Sequence, residues 1–248
     1  MNTDLDLRVF SAPAELFPAA AAEFARLAHT AIRTSGRFTV ALSGGSTPKN
    51  LFKLLAGLPA QDISWKQVYF FFGDERHVPP DDPESNFRMA NETLLSKIPA
   101  RPENVFRIHA EQDAETAAKD YEEQLVKFFN LQSGQFPRFD LIMLGLGPDG
   151  HTASLFPGSK GLSEMHRLVI ANWVEKFNAF RITFTYLVLD HAACVMFMAT
   201  GADKADAVRR VIEDKKQGPP AGRVSPIEGR LLWFLDRDAA AELPVGSR

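Results

Sequence analysis

Short unbroken apolar runs alternate along this chain with amphipathic helical patterns, and that alternation leaves few folds open to it. Residues 38–42, 68–72, 139–144 and 168–171 lack the polar alternation of a half-exposed strand, so they read as strands buried on both faces. Two more strands are expected at 181–185 and 195–199, and a last one at 231–235. Between them, residues 15–34 set Leu16, Phe24, Leu27 and Ile32 on one side of a helix, and 49–56, 86–95, 114–129 and 204–212 behave alike. Strands alternating with helices imply right-handed crossovers and a parallel sheet covered on both sides. The expectation is an α/β protein with three layers, a single Rossmann-like domain over residues 1–248 with a central, mostly parallel sheet flanked by helices. Proline-rich polar segments at 79–83 and 217–220 read as loops, and neither needs to be a domain boundary.

Composition narrows the class of partner. With 31 acidic against 28 basic residues and a net charge of −3, no cationic excess is available for the counterion release that drives general nucleic-acid binding, so no nucleic-acid partner is expected. Cys194 is the only cysteine and lies in an apolar run; it reads as a buried, inert thiol in a reducing compartment. The N-terminal residues carry Asp4 and Asp6 where a signal peptide needs positive charge. No apolar run approaches the ~20 residues that cross a bilayer. A cytoplasmic protein without a membrane partner is expected, with a monomer as the default state.

In open parallel sheets ligands sit beyond the carboxyl ends of the strands, and the unusual residues of this chain collect there. Strand 38–42 runs into Ser43, Gly44, Gly45, Ser46, Thr47 and Pro48. The glycines let the backbone turn closely around a ligand, Ser46 or Thr47 can cap the helix that follows, and Pro48 suits its first turn. Free amides at such a helix start form an anion seat; an unliganded tight turn is an equal alternative. The segment is not a nucleotide P-loop, because the spacing that brings a lysine to a triphosphate is missing. Strand 68–72 runs through Gly73 into Asp74, Glu75, Arg76 and His77, which taken alone is equally a charged surface loop. Asn86 ends the next loop, where it is equally part of a helix cap.

Strand 139–144 leads into the most informative segment, Gly145 to Ser154. Gly145, Gly147 and Gly150 match the dinucleotide fingerprint in spacing, but that site needs a substantial helix directly after the glycines and an acidic residue ending the next strand. Pro157 and Gly158 interrupt any helix after about two turns, and Asn172 follows residues 168–171. The glycines instead present Asp149 and His151. An imidazole with a pKa of about 6.5 takes a proton from water near neutrality, and a neighbouring carboxylate fixes its tautomer. His151 is thus a candidate general base, with a histidine bonded within a turn as the alternative. Arg181 and Lys204 stand at a strand and at a helix start; each alone reads as a surface charge, while together a fork and a point charge suit phosphate.

Taken in order, residues 42–48, 73–79 with Ser85 and Asn86, 145–158, 181–185 and 201–205 resemble the glucosamine-6-phosphate deaminase/6-phosphogluconolactonase family over nearly the whole chain. The resemblance is closest to the lactonases. It implies one domain of the deaminase/isomerase type, no cofactor, no metal, and a sugar-phosphate lactone as substrate in the oxidative pentose phosphate route. Carried over by position, Ser43, Gly44, Gly45, Ser46 and Thr47 with Arg181 and Lys204 hold the phosphate, and His151 activates water against the lactone carbonyl. Asp149 and Asp74 orient the histidine or the sugar hydroxyls, Arg76 binds substrate and steadies the oxyanion, and Asn86 and Gly147 complete the substrate contacts. The deaminase pattern has a proton-moving glutamate where this chain has Phe156, which favours hydrolysis over isomerisation. No Gly-x-Ser-x-Gly elbow supports a serine hydrolase, and no His-Glu-x-x-His arrangement supports a metal hydrolase. A non-catalytic sugar-phosphate-binding regulator on the same scaffold is the remaining alternative.

Overall fold

The computed structural model describes residues 5–59, 62–214 and 218–244. In chain order these form β1 (Leu5–Phe10), α1 (Pro13–Ser35), β2 (Phe38–Leu42), α2 (Ser46–Ala56), β3 (Val68–Phe72), β4 (Asp74–Arg76), α3 (Asn86–Thr93), α4 (Ala114–Phe129), β5 (Leu141–Gly145), β6 (Val169–Val174), β7 (Ala179–Phe184), α5 (Tyr186–Leu189), β8 (Cys194–Ala199), α6 (Ala205–Glu213) and β9 (Arg230–Asp236). Six strands pair in parallel in the order β1-β9-β8-β5-β2-β3, and helices flank this sheet to give the expected three-layer α/β fold. Every residue of β2 and of β8 is buried, which is why these strands carry apolar residues on both faces.

Local signals set the helix ends. α1 stops at Gly36, whose φ of 76° is left-handed and whose N–H donates to the Ile32 carbonyl, a conformation that a residue with a Cβ resists. α4 starts on Asp113, whose side chain accepts from the Thr116 amide. Rings fill the core beside β3: Phe71 stacks on Phe106 at 4.6 Å and meets Phe128 and Phe139 edge-on. Cys194 is buried within β8, and burial pushes its thiol up to about 12, the inert state expected of it.

Several expectations need correction. Residues 168–171 and 181–185 do not join the parallel sheet: β6 and β7 form an antiparallel hairpin that pairs with β4 in a second sheet, ordered β4-β7-β6. Only residues 175–178 separate β6 from β7, too few for the crossover that parallel pairing needs. β6 also runs on to Val174 with Trp173 40% exposed, so it is not buried on both faces. Asp74, Glu75 and Arg76 are a strand rather than a surface loop, and Leu5–Phe10 adds an edge strand not expected from the sequence. Strand β5 begins at Leu141 rather than at 139 and reaches Gly145. Arg181 is the third residue of β7 rather than its first. Residues 1–4 of the N-terminal reading and Gln217 of the second loop lie outside the described residues. No helix among the described residues is long and apolar enough to cross a membrane.

Candidate active site

β2 and β5 are neighbours, yet the strand following β2 in sequence lies on one side of it while β5 and β8 extend the sheet on the other. The loops leaving β2 and β5 therefore diverge, and a crevice opens between them at the carboxyl ends of the strands. Residues 43–48 line that cleft from one side, and 145–148 with 151–153 line it from the other. Asp74 and Arg76 of β4, Asn86 at the start of α3, Arg181 of β7 and Lys204 just before α6 complete its wall. Of the residues given a catalytic or substrate-binding role from the sequence, all but Asp149 line the cleft; Asp149 contacts it only through His151.

That placement settles which aspartate partners the histidine. His151 Nδ1 lies 2.5 Å from Asp149 Oδ1, which also accepts from the His151 amide. Lys176 Nζ reaches the other carboxylate oxygen at 3.2 Å. Burial by itself raises the Asp149 pKa, but the bonds from His151 and Lys176 outweigh it and hold the group at about 2. Burial lowers the His151 pKa below the ordinary 6.5, against the opposing pull of Asp149; Phe156 stacks on the imidazole at 3.9 Å and supplies part of that dry surface. The two shifts together describe an ionised carboxylate beside a neutral imidazole. With Nδ1 occupied by the carboxylate, Nε2 is the basic nitrogen. The turn that presents this pair closes through Gly147 N–H to His151 O and Gly150 N–H to Gly147 O. A Cβ on Gly147 would lie 2.0 Å from His151 Nδ1, and one on Gly150 2.2 Å from Pro219 Cβ, so both glycines answer to close approach.

Asp74 is held differently. Its Oδ2 accepts from Ser154 Oγ at 2.7 Å, and its backbone oxygen accepts from Asn86 Nδ2 at 3.0 Å. Asn86 is therefore more than part of a helix cap. Ser85 is the capping residue, accepting from the Arg88 amide, while Asn86 turns inward against Gly44, where a Cβ would collide with it at 1.9 Å. Glu75 accepts from the amides of Arg76, Asn86 and Phe87 and from Ser85 Oγ. Burial raises its pKa and the three amides pull it back only partly. It ties β4 to α3 and so fixes Asp74, Arg76 and Asn86 relative to one another. The sequence reading assigned Glu75, Ser154 and Lys176 no role; the pairing of a charged triplet with a strand edge was the only signal for the first, and the other two become visible only through contacts remote in sequence.

The rest of the cleft wall is cationic and polar. No side chain caps α2: Gly45 is its N-cap with φ 104°, so neither Ser46 nor Thr47 plays the capping part expected of them. Thr47 Oγ1 instead pairs with Thr200 Oγ1 at 3.0 Å. Ser43 Oγ and Arg76 Nε are buried without a hydrogen-bond partner, which in a protein interior costs about 1–3 kcal/mol each unless a ligand supplies one. Lys204 pairs with the exposed Asp203 at 2.9 Å. Burial, then the neighbouring Arg76, lowers the pKa of Arg181.

An α/β scaffold with a cationic cleft at its topological switch point, and an Asp-supported imidazole facing that cleft, defines a small-anion enzyme site rather than a nucleotide fold. The sequence profile described as glucosamine-6-phosphate isomerases/6-phosphogluconolactonase matches residues 11–233, and the chain belongs to that family. A curated relative from Nostoc sp. named 6-phosphogluconolactonase is 41% identical over 87% of this chain and 89% of its own length. One of the same name from Synechocystis sp. is 41% identical over 86% and 88%. The structure titled 6-phosphogluconolactonase from Trypanosoma cruzi superposes with a TM-score of 0.87 at 33% identity, covering 99% of each chain.

Proposed function

We propose that this protein hydrolyses 6-phospho-D-glucono-1,5-lactone to 6-phospho-D-gluconate, with water activated by His151. The observation that carries the reading is a neutral, Asp149-supported imidazole in the same cleft as Arg181 and Lys204. The names of the relatives support the same substrate.

In this reading the phosphoryl group sits against the start of α2, Arg181 and Lys204, where amides and cations share its charge. Nε2 of His151 removes a proton from water as the oxygen attacks the C1 carbonyl, and Asp149 stabilises the imidazolium formed. The charge that develops on the carbonyl oxygen is met by Arg76. The tetrahedral intermediate then collapses, the bond from C1 to the ring oxygen breaks, and the imidazolium returns its proton to that oxygen. The product carboxylic acid ionises at neutral pH. Asp74, braced by Ser154 and Asn86, accepts hydrogen bonds from sugar hydroxyls and orients the ring, with Asn86 and Gly147 beside it.

Isomerisation of an amino-sugar phosphate is the rival within the family, and Phe156 counts against it: the phenyl ring stacked on His151 cannot move a proton. The reading extends to a single domain over residues 1–248, acting in the cytoplasm as a monomer on a small molecule, without nucleic acid. Freshly made lactone incubated with purified protein, with spontaneous hydrolysis subtracted, tests the activity. Turnover is expected. Binding of 6-phosphogluconate without turnover would instead establish a regulator, and ammonia release from glucosamine 6-phosphate a deaminase/isomerase.

A further inference from the structure

Arg181 raises a physical problem that the catalytic reading leaves open. Its side chain makes no hydrogen bond or ion pair among the described residues, and it lies beside Arg76, its direct partner across the β4–β7 pair. The loss of water and repulsion from Arg76 work against a charged group there and outweigh the attraction of Asp74, Glu84 and Glu75. A long side chain in that position has no polar anchor to set its direction until an anion arrives, and ordering it at that moment costs about 0.5–1.5 kcal/mol of binding free energy.

Two aromatic rings stand where an anchor is needed. The Arg181 guanidinium carbon lies 4.7 Å from the centroid of Phe177 and 5.9 Å from that of Phe156. Phe177 meets Phe156 edge-on at 5.7 Å and 79°, and Phe156 in turn stacks on His151. Phe177 sits at the end of the turn Glu175–Phe177 between β6 and β7 and is 46% exposed, so packing of the core does not account for it. A ring face attracts a guanidinium without neutralising it. A carboxylate in the same place would cancel the charge that a phosphoryl group has to meet.

We propose that Phe177 is a positioning residue for phosphate recognition: it holds the Arg181 guanidinium, with Phe156, in the direction from which it meets the phosphoryl group. Phe177 does not itself line the cleft and acts through Arg181. The proposal rests on the lactonase reading, in which Arg181 is a phosphate ligand.

The test is a double-mutant cycle on purified full-length protein with 6-phosphogluconolactone and with unphosphorylated glucono-1,5-lactone as substrates. Phe177→Ala is expected to raise KM for the phosphorylated lactone about threefold to tenfold, the lower part of the range for cation–π contacts because the ring is half exposed, with kcat within about twofold. Phe177→Trp should restore the KM. Turnover of the unphosphorylated lactone should not change, and Phe177→Ala should have no further effect once Arg181 is alanine. An unchanged KM in Phe177→Ala overturns the proposal, as does an equal loss for both lactones or a loss that persists beside Arg181→Ala. Absence of turnover in the unmodified protein would instead strike the lactonase reading, and so the two failures are distinguishable.

Discussion

Replacing Gly147 with alanine tests how tightly the catalytic pair is held. A Cβ at this position would lie 2.0 Å from His151 Nδ1, 2.1 Å from Cε1 and 2.8 Å from Asp149 Oδ1. Ordinary contact begins near 3.4 Å, so the imidazole must retreat by roughly 1.4 Å or the loop must open by as much. Gly147 is not among the residues with positive φ, so alanine brings no backbone strain of its own and the effect is confined to the ring it strikes. Misplacement of a reacting group by about 1 Å costs about 100-fold, and kcat for lactone hydrolysis should fall by at least that. His151 and Asp149 are partly exposed and can move outward, so the melting temperature should change by no more than a few degrees. Affinity for 6-phosphogluconate should fall less than kcat, because Gly147 adjoins the sugar ring while the phosphate seat lies on other loops. Gly57→Ala, whose Cβ makes only ordinary contacts with the Leu54 and Lys53 carbonyls at 3.5 and 3.7 Å, serves as a control for the general effect of losing a glycine. The measurement is initial rate in a pH-stat with spontaneous hydrolysis subtracted. A Gly147→Ala enzyme within threefold of the parent would refute the reasoning that this glycine exists to admit the imidazole.

Other perturbations follow from the same geometry. His151→Ala should lower kcat about 100-fold to 10,000-fold while sparing product binding, and near-normal turnover would remove His151 from the mechanism. Arg181→Ala and Lys204→Ala should chiefly raise KM, and an equal loss on unphosphorylated lactone would contradict a phosphate role. Burial depresses the His151 pKa, so its NMR titration midpoint should lie below 6.5, with the neutral, active form populated above it. Lys176→Met removes a cation that opposes protonation and should move that midpoint upward, by a small step because Lys176 is largely exposed and screened; a downward shift would contradict this. Asp190, which accepts from the Ser225 amide at 2.7 Å, is raised by burial from 3.8 to about 6. Folding thus favours its protonated form, and the stability this confers is present below pH 3.8 and lost as pH rises through about 6. Asp190→Asn should gain about 2–3 kcal/mol relative to the parent at pH 7.5 but little at pH 4, and equal differences at both pH values in urea melts would contradict it.

Much of this architecture was legible because burial on two faces leaves a strong mark. Strands β2 and β3 match the apolar runs at 38–42 and 68–72, and α4 matches 114–129 from cap to cap. The second sheet was not legible in the same way. Residues 168–171 look like a core strand until Trp173 is seen to face solvent, and a three-residue strand such as β4 is too short to show any period. The candidate site was legible in its residue types, since glycines, a histidine and charges gathered after strand ends. Its pairings were not. Asp74 and Asp149 look alike along the chain, yet only Asp149 meets His151, while Asp74 is taken by Ser154, 80 positions away.

The amino-acid order by itself determined that this is a layered α/β protein whose reactive residues stand at the carboxyl ends of its strands, because periodicity and turn chemistry are local properties. Only the tertiary structure decided which loops face one another, since strand order brings β2 and β5 side by side across a hundred residues. It also decided the state of the imidazole. A histidine's proton affinity depends on the water removed from around it and the charges within a few ångströms, and both are set by contacts with Phe156, Asp149 and Lys176 that distance along the chain does not reveal.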